Sequence, residues 1–190
     1  MRSVNHKVMK VLKTREELLH LFPGGGTMAE VGVFRGGFSE KILDVCKPEK
    51  FYMVDIWEGK MMSGDKDGKS IVKIPDMQEV YENEILPKFG VLPNVKVIRE
   101  TSTDFFNRPE FVDSLDAIYI DALHTYKAVL KDLEGARKVV KSGGIIMGHD
   151  YGKKFPGVIK AVDEFCEKNG LQIEYLTEDG CPSYYIVNNK

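Results

Sequence analysis

The sequence is poor in cysteine and has no long apolar run. Its three cysteines, Cys46, Cys166 and Cys181, form no CxxC pair, so a disulfide framework is not expected and a reducing, cytoplasmic setting is the default. No segment approaches the ~20 consecutive apolar residues that a membrane helix requires. The first 22 residues mix charged and apolar side chains and lack the apolar core of a signal peptide. We therefore expect no membrane association.

The sequence also lacks an excess of charge of either sign. It has 27 Lys and Arg against 29 Asp and Glu, a formal net charge of −2, with the two signs mixed along the chain. A groove for nucleic acid would need a surplus of basic side chains to displace counterions, so nucleic acid is not an expected partner. With 190 residues, 43% of them hydrophobic, the chain suits a single domain with a substantial core.

Apolar segments typical of strands alternate with amphipathic segments typical of helices. Five buried strands are predicted, in the segments TMAEVGVF, FYMVDIW, NVKVIRE, DAIYID and SGGIIMGHD. The last two strand segments, LQIEYLTED and PSYYIVNN, follow each other directly and are expected to form an antiparallel hairpin at the sheet edge. This order predicts an α/β fold, a Rossmann-like and mostly parallel seven-stranded sheet with helices on both faces.

Two segments lie outside this alternation. Apolar residues recur at roughly helical spacing within residues 1–26, which are expected to form an N-terminal helical extension. This helix could pack on a neighbouring subunit as readily as on its own sheet, which leaves a homo-oligomer open. Residues 58–76 have no period and are rich in Gly, Lys and Asp, which predicts a long loop of the kind that often serves as a lid. Trp57, Met61 and Met62 would give it an apolar surface.

The segment EVGVFRGGFS is a predicted strand–turn–helix junction. Gly32 and Gly36 would let the backbone bend sharply and approach a ligand closely, and the helix beginning near Gly37 would direct free N–H groups at the same place. Its GxxxGG spacing differs from the GxGxxG of dinucleotide sites. With Glu30 placed to face an ammonium group, the junction suits a zwitterionic amino acid better than a pyrophosphate. A glycine-rich turn without a ligand is the alternative.

Polar residues also follow the next two predicted strands. Asp55 ends the second strand, where an acid can accept both ribose hydroxyls, although it could equally cap a helix or lie on the surface. Thr101 and Ser102 follow the third strand, where their hydroxyls could bond an adenine edge or cap the next helix. Because parallel strands end on one edge of a sheet, these residues together predict a nucleoside site.

At this point the chain resembles a known family. The segments EVGVFRGGFS, VDIW, IDALHTYKAVLKDL and KSGGIIMGHDY are similar to class I S-adenosylmethionine (SAM)-dependent methyltransferases. They most resemble the branch that contains sugar O-methyltransferases of the macrocin and cephalosporin-biosynthetic kind, over about residues 27–169. The resemblance implies a SAM site with the methionine part beside Glu30, Gly32 and Ser39. The full set expected to bind the cofactor is Glu30, Gly32, Gly36, Ser39, Asp55, Thr101, Ser102 and Asp121.

A second group of polar residues points to the reaction itself. Asp121 ends the fourth predicted strand with His124 three residues later, and His149 and Asp150 end the fifth. If these strands are neighbours, the four side chains converge beside the cofactor. An imidazole that titrates near neutrality is a suitable general base, so His124 is the expected catalytic residue. Helix N-capping by the two aspartates is the alternative.

Two carboxylates in close contact favour a cation between them, because each otherwise raises the pKa of the other. Mg²⁺ accepts oxygen ligands and keeps positions open for substrate hydroxyls. The resemblance places the ligands of metal-dependent sugar enzymes at Asp121, Asp150 and the residue before Asp150. That residue is His149 here, where those enzymes carry an acid, and packing or a hydrogen bond is an equally open role for it.

These features predict a SAM-dependent O-methyltransferase that acts on a hydroxyl of a small molecule or glycan, with a sugar as the leading substrate and Mg²⁺ as an assisting ion. A catechol-like acceptor is one alternative. A noncatalytic module that binds SAM or a nucleotide is another. An NAD-linked oxidoreductase is disfavoured because the GxGxxG spacing is missing.

Overall fold

The computed structural model describes residues 9–63 and 72–190. The strands in this part of the chain are β1 (Lys10–Leu12), β2 (Thr27–Val31), β3 (Lys50–Asp55), β4 (Lys60–Ser63), β5 (Val72–Asp76), β6 (Val95–Arg99), β7 (Leu115–Ile120), β8 (Val140–Gly148), β9 (Ile173–Thr177) and β10 (Tyr184–Asn188). The helices are α1 (Arg15–Leu19), α2 (Gly37–Cys46), α3 (Met77–Val80), α4 (Leu86–Phe89), α5 (Ser102–Phe106), α6 (Tyr126–Val139) and α7 (Pro156–Asn169). A π-helical turn, Tyr81–Ile85, joins α3 to α4.

Eight strands of the described residues form one sheet in the order β1-β9-β10-β8-β7-β2-β3-β6. All neighbours pair in parallel except β10, which runs antiparallel to both β8 and β9. The predicted Rossmann-like sheet with an antiparallel C-terminal hairpin is confirmed. Two details differ, because the sheet has eight strands rather than seven and β1, rather than the hairpin, forms the edge beside β9.

Two apolar clusters cover the two faces of the sheet. Successive β7 residues alternate between them, with Ile118 in one cluster and Tyr119 in the other, as the two-residue period of a strand requires. Helices α5, α6 and α7 pack on the first face, and α1, α2, α3 and α4 on the second. Each helix thereby buries its apolar stripe, which is the main source of stability for a layered α/β fold.

The N-terminal segment differs from the predicted helical extension. Within residues 1–26, the described part contains the three-residue strand β1 and only the short helix α1. Lys10 pairs with Tyr175 and Leu12 with Thr177, so β1 binds to the edge of β9 that would otherwise be open. Tertiary pairing thus overrides a weak local helical pattern.

The segment 58–76 also differs from the predicted loop. Lys60–Ser63 and Val72–Asp76 pair as an antiparallel two-stranded sheet, and the residues between them lie outside the described part. Trp57 is fully buried, and its indole N–H donates to the Phe34 carbonyl oxygen at 2.9 Å. Trp57 therefore belongs to the core and gives no lid surface, whereas the side chains of Met61 and Met62 lie outside the described residues.

No helix in the described residues is both long and apolar enough to cross a membrane.

Candidate functional site

Four acidic residues stand at the carboxyl ends of neighbouring strands. The strands β8, β7, β2 and β3 are consecutive in the sheet. Glu30 is the penultimate residue of β2 and Asp55 ends β3, while Asp121 directly follows β7 and Asp150 lies two residues after β8. This edge is where open parallel sheets bind their ligands, and the sequence-predicted acids are brought together along it.

Two glycines shape the turn after β2, for reasons that lie within the protein. Gly32 has φ 91°, and a Cβ there would lie 2.1 Å from the carbonyl oxygen of Asp121. Gly36 has φ 74°, and its Cβ would lie 2.4 Å from the ring of Phe89. Left-handed backbone and close packing both require glycine, so close approach to a ligand is not needed to explain either position.

Glu30 and Ser39 form a buried pair under this turn. Both are almost fully buried, at 1% and 0% exposure, and the Ser39 hydroxyl donates a short hydrogen bond to the Glu30 carboxyl. Burial raises the pKa of Glu30 to about 8, although the bond from Ser39 acts in the opposite direction. A carboxyl group in this setting ionises readily only when a positive charge comes to it.

Asp55 ties together the turns that follow β2 and β3. One carboxylate oxygen accepts from the N–H of Phe34 at 2.9 Å, and the other accepts from the N–H of Trp57 at 3.1 Å. Each oxygen keeps a lone pair for a further donor. Phe34 and Ile56 expose apolar side chains beside it, at 43% and 45%, which could hold a flat aromatic group between them.

Thr101 and Ser102 have protein partners. Thr101 is the N-cap of α5, and its hydroxyl oxygen accepts from the N–H of Asp104 at 3.1 Å. Ser102 faces the Asp132 carboxyl of α6, whose pKa is raised because it is buried, an effect that Ser102 opposes. The helix-capping alternative therefore describes Thr101.

Asp121, His124, His149 and Asp150 form one cluster between the ends of β7 and β8. His124 Nε2 lies 2.7 Å from Asp150 Oδ2 and 3.7 Å from Asp121 Oδ1. His149 Nδ1 lies 3.5 Å from one carboxylate oxygen of each aspartate. The ring of Phe155 packs against that of His124, with centroids 4.5 Å apart. All four predicted residues of the reaction site are thus adjacent.

The charges of this cluster stabilise one another. The nearby carboxylates of Asp121 and Asp150 favour the charged imidazolium and raise the pKa of His124 to about 9. Burial alone would lower the pKa of His149, but the same two carboxylates raise it to about 9. Burial would raise the pKa values of the two aspartates, but the histidines hold both below their usual range. His124 is consequently an imidazolium at pH 7, not a group that titrates near neutrality.

Part of the cluster could hold a cation. One ligand atom each of Asp121, His124 and Asp150 lies within 4.8 Å of the others, and this trio contains His124 where the sequence predicted His149. The buried Nε2 of His124 has no partner in hydrogen-bonding geometry, as expected for a nitrogen that can point at a metal. Two carboxylates fit Mg²⁺ or Mn²⁺, and the imidazole favours a softer ion such as Mn²⁺ or Fe²⁺.

A cavity of about 400 Å³ opens beside the cluster. Its wall includes Asp150, the aromatic residues Tyr151 and Phe155, and the basic residues Lys153 and Lys154. A larger cavity, of about 780 Å³, is lined by residues such as Asp113 and Lys138, which precede β7 and β8. It therefore opens at the opposite end of these strands, away from the acidic edge.

Arg15, which was not among the predicted site residues, reaches this edge from α1. Its guanidinium stacks on the ring of Phe38 at 4.3 Å and lies 3.5 Å from Asp121 Oδ2. Nothing local marks this residue, because one arginine in a charged amphipathic segment is ordinary surface. The proximity of Arg15 to Asp121 becomes visible only when the position of α1 relative to β2 and β7 is known.

Comparison with known proteins agrees with this architecture. The solved O-methyltransferase NovP aligns with 93% of this chain and 80% of its own, with a TM-score of 0.64 and 22% identity. TrmK of M. capricolum, in complex with S-adenosylhomocysteine (SAH), aligns over 94% of this chain and 70% of its own, with a TM-score of 0.62 and 15% identity. Spermidine synthase of Thermotoga maritima aligns over 90% of this chain at a TM-score of 0.61 and 14% identity.

This chain spans only 55% of that spermidine synthase. At these identities, the likeness to solved structures concerns the fold. No curated protein sequence matches the chain. The sequence profile described as a methyltransferase domain matches residues 29–151, which is more than half of the 190 residues and contains all four acidic strand ends. The chain therefore belongs to the methyltransferase domain family.

Proposed function

We propose that the protein is a SAM-dependent O-methyltransferase that acts on a hydroxyl group of a small molecule or glycan, with a sugar as the leading acceptor. One observation carries the proposal. Neighbouring strand ends hold two separate acidic sites, Glu30 with Asp55 and Asp121 with Asp150. The first suits an amino acid joined to a nucleoside, and the second suits a group that loses a proton.

The cofactor assignment rests on the side chains along β2 and β3. Glu30 would meet the ammonium group of the methionine part, whose charge would offset the unfavourable ionisation of a buried carboxyl. Asp55 would accept the ribose hydroxyls, with Phe34 and Ile56 as apolar walls for the base. NovP is an O-methyltransferase, and TrmK was solved with SAH, which supports the same type of cofactor here.

The acceptor is assigned to the cavity beside Asp150. A hydroxyl bound beside Asp150 would lie near His124, whose Nε2 is 2.7 Å from Asp150 Oδ2. SAM would supply a methyl group bound to a positively charged sulfur. As the acceptor oxygen bonds to the methyl carbon, the carbon–sulfur bond would break and its electron pair would stay on sulfur. His124 would accept the hydroxyl proton in its neutral form. A divalent ion held by Asp121 and Asp150, with the imidazole nitrogen of His124 left free for the proton, would offset their negative charge and thereby lower the pKa of His124.

Two further features belong to this proposal. Lys153 and Lys154 line the cavity, and their charges favour an acceptor that bears polar or anionic groups. The paired strands β4 and β5 follow Trp57 at the cofactor edge, and we propose that residues 58–76, which contain them, serve as a lid over the bound substrates. Shortening that segment should then lower turnover more than cofactor affinity.

The test uses calorimetric titration with SAH and turnover with methyl-labelled SAM over a panel of sugars and catechols, each with Mg²⁺, with Mn²⁺ and with EDTA. His124→Ala should keep SAH affinity and lose roughly 10²- to 10⁴-fold in turnover. His20→Ala, which changes an exposed histidine at the end of α1, is the matched control and should behave as wild type.

Each other outcome has a clear meaning. Turnover by His124→Ala at the wild-type rate would reject the base assignment. Methylation of catechols and not of sugars would change the acceptor class. Binding of SAH without turnover of any acceptor would favour the noncatalytic binding module, and absence of SAH binding would reject the proposal as a whole.

A further inference from the structure

Arg15 lies directly above the strand positions assigned to the methionine part of the cofactor. Glu30 on β2 pairs in register with Tyr119 on β7, and both side chains are buried on the face that α1 and α2 cover. The positive charge of Arg15 lies near enough to Glu30 to oppose the rise that burial causes in the pKa of that carboxyl, and the hydroxyl of Tyr119 bonds to Ser183 Oγ at 2.9 Å. The guanidinium also stacks on the ring of Phe38 and lies 3.5 Å from Asp121 Oδ2. One corner of the cofactor edge is therefore formed by Arg15, Glu30, Phe38, Tyr119 and Asp121.

The fold fixes Arg15 at this place from two sides. Its backbone N–H donates to Asp179 Oδ2 at 3.0 Å, and β1, which ends three residues before it, pairs with β9. On the other side, the ring of Phe38 packs on that of Tyr119 with centroids 4.3 Å apart. The arginine therefore has little freedom to swing into solvent, although its side chain remains 29% exposed.

The charges of this corner are complementary to an α-amino acid. The methionine part of SAM carries one ammonium and one carboxylate. Glu30 offers a negative charge for the ammonium group, and Arg15 offers a positive charge for the carboxylate. A guanidinium binds a carboxylate through two parallel hydrogen bonds, which gives orientation as well as affinity.

We propose that Arg15 binds the α-carboxylate of the cofactor, so that the N-terminal segment forms part of the cofactor site. The inference rests on the proposed function. It goes beyond the family assignment, because Arg15 precedes residues 29–151, which the methyltransferase domain profile matches. The methionine pocket would then be completed by a segment outside that domain.

A purely structural role for Arg15 makes a different prediction. If the guanidinium only offsets the buried charges of Glu30 and Asp121, its loss should weaken every ligand of the site equally. A carboxylate contact should matter only to ligands that have a carboxylate. SAH and its decarboxylated analogue S-adenosyl-3-thiopropylamine differ in that group alone and keep the same amine, thioether and adenosine.

The experiment is calorimetric titration of wild type and Arg15→Gln with both compounds. SAH affinity should fall roughly 10- to 100-fold, as for loss of a charge-assisted hydrogen bond, while the affinity for the decarboxylated analogue stays within a factor of about two. Arg137→Gln is the matched control, because Arg137 bonds to Asn188 at the other end of the sheet. It should change neither affinity.

The outcomes separate this inference from the proposed function. Equal weakening of both compounds, or no change in either, would overturn the role of Arg15 while leaving SAM as the cofactor. Failure of the wild type to bind SAH would overturn the proposed function and this inference with it. If Arg15→Gln does not fold, judged by circular dichroism, Arg15→Lys replaces it, and a selective loss for SAH is again the supporting result.

Discussion

Glu30 is a carboxyl group that the fold buries with a single hydroxyl partner and a nearby arginine. Its raised pKa, caused first by burial, means that the ligand-free protein keeps a proton that the unfolded chain releases above pH 4.5. Between pH 4.5 and about 8 the native state therefore binds more protons than the unfolded state, and stability falls as the pH rises through this window. Above about pH 8 the loss is complete.

Glu30→Gln should remove this pH dependence. The amide can still accept the hydrogen bond from Ser39, but it never ionises. Urea unfolding at pH 5.5 and pH 9 should show wild type losing several kcal/mol relative to the variant, on the order of 1.4 kcal/mol per unit of pKa shift. The ligand-free state must be used, since a bound ammonium group would reverse the effect. Parallel pH profiles for the two proteins would contradict the buried ionisation.

Among single residues, the positions of the acids at strand ends were easier to predict from the sequence than the partners of the hydroxyl groups. Asp121 and Asp150 follow strongly apolar runs, and their position on the edge follows from the strand order alone. Thr101 and Ser102 could not be assigned, because a hydroxyl after a strand serves a helix cap as well as a ligand. The pKa of His124 was also beyond prediction, because it depends on distances across two strands.

The turn after β2 is an element whose shape depends on one glycine. Gly32→Ala would place a methyl group 2.1 Å from the Asp121 carbonyl oxygen in left-handed backbone. We expect a loss of roughly 3 kcal/mol or more in the free energy of unfolding, measured by urea titration. Gly37→Ala is the control, because a Cβ there meets nothing within 4 Å. It should stay within about 1 kcal/mol of wild type.

Equal stability of these two alanine variants would show that the contact between the ends of β2 and β7 relaxes easily. Loss of SAH binding by Gly32→Ala without loss of stability would instead indicate that the glycine serves the ligand directly.

Elements with a strong period were predictable, and short polar strands were not. The five apolar runs and helices α2, α6 and α7 follow from hydrophobic spacing. In contrast, β1 has three residues and two of them are exposed, so its conformation comes from pairing with β9, where each partner lies 165 positions later in the chain. Strands β4 and β5 likewise depend on pairing, in this case with each other, whereas the Gly-, Lys- and Asp-rich composition of residues 58–76 predicted a loop.

For the whole molecule, cysteine reactivity reports on folding. Burial raises the pKa of the Cys46 thiol to about 11 and that of Cys166 to about 12, and the thiolate is the reactive form. Cys181 lines the cavity beside Asp150 and is partly exposed. Iodoacetamide should therefore modify only Cys181 in the folded protein and all three cysteines in urea, as measured by mass spectrometry.

Cys181→Ser is the control and should take up no label while folded. Fast labelling of Cys46 or Cys166 under native conditions would show that the helices carrying them open locally. It stays a prediction that the protein resides in a reducing compartment. Association of the chain with copies of itself also stays a prediction.

The pairing of β1 with β9 has a consequence for synthesis of the chain. Strand β9 reaches the rest of the sheet only through β10, which ends at Asn188. A polypeptide leaving the ribosome must therefore keep β1 unpaired until β9 and β10 have been translated. Arg15 follows β1 by three residues, so the pairing that anchors its segment depends on residues far later in the chain.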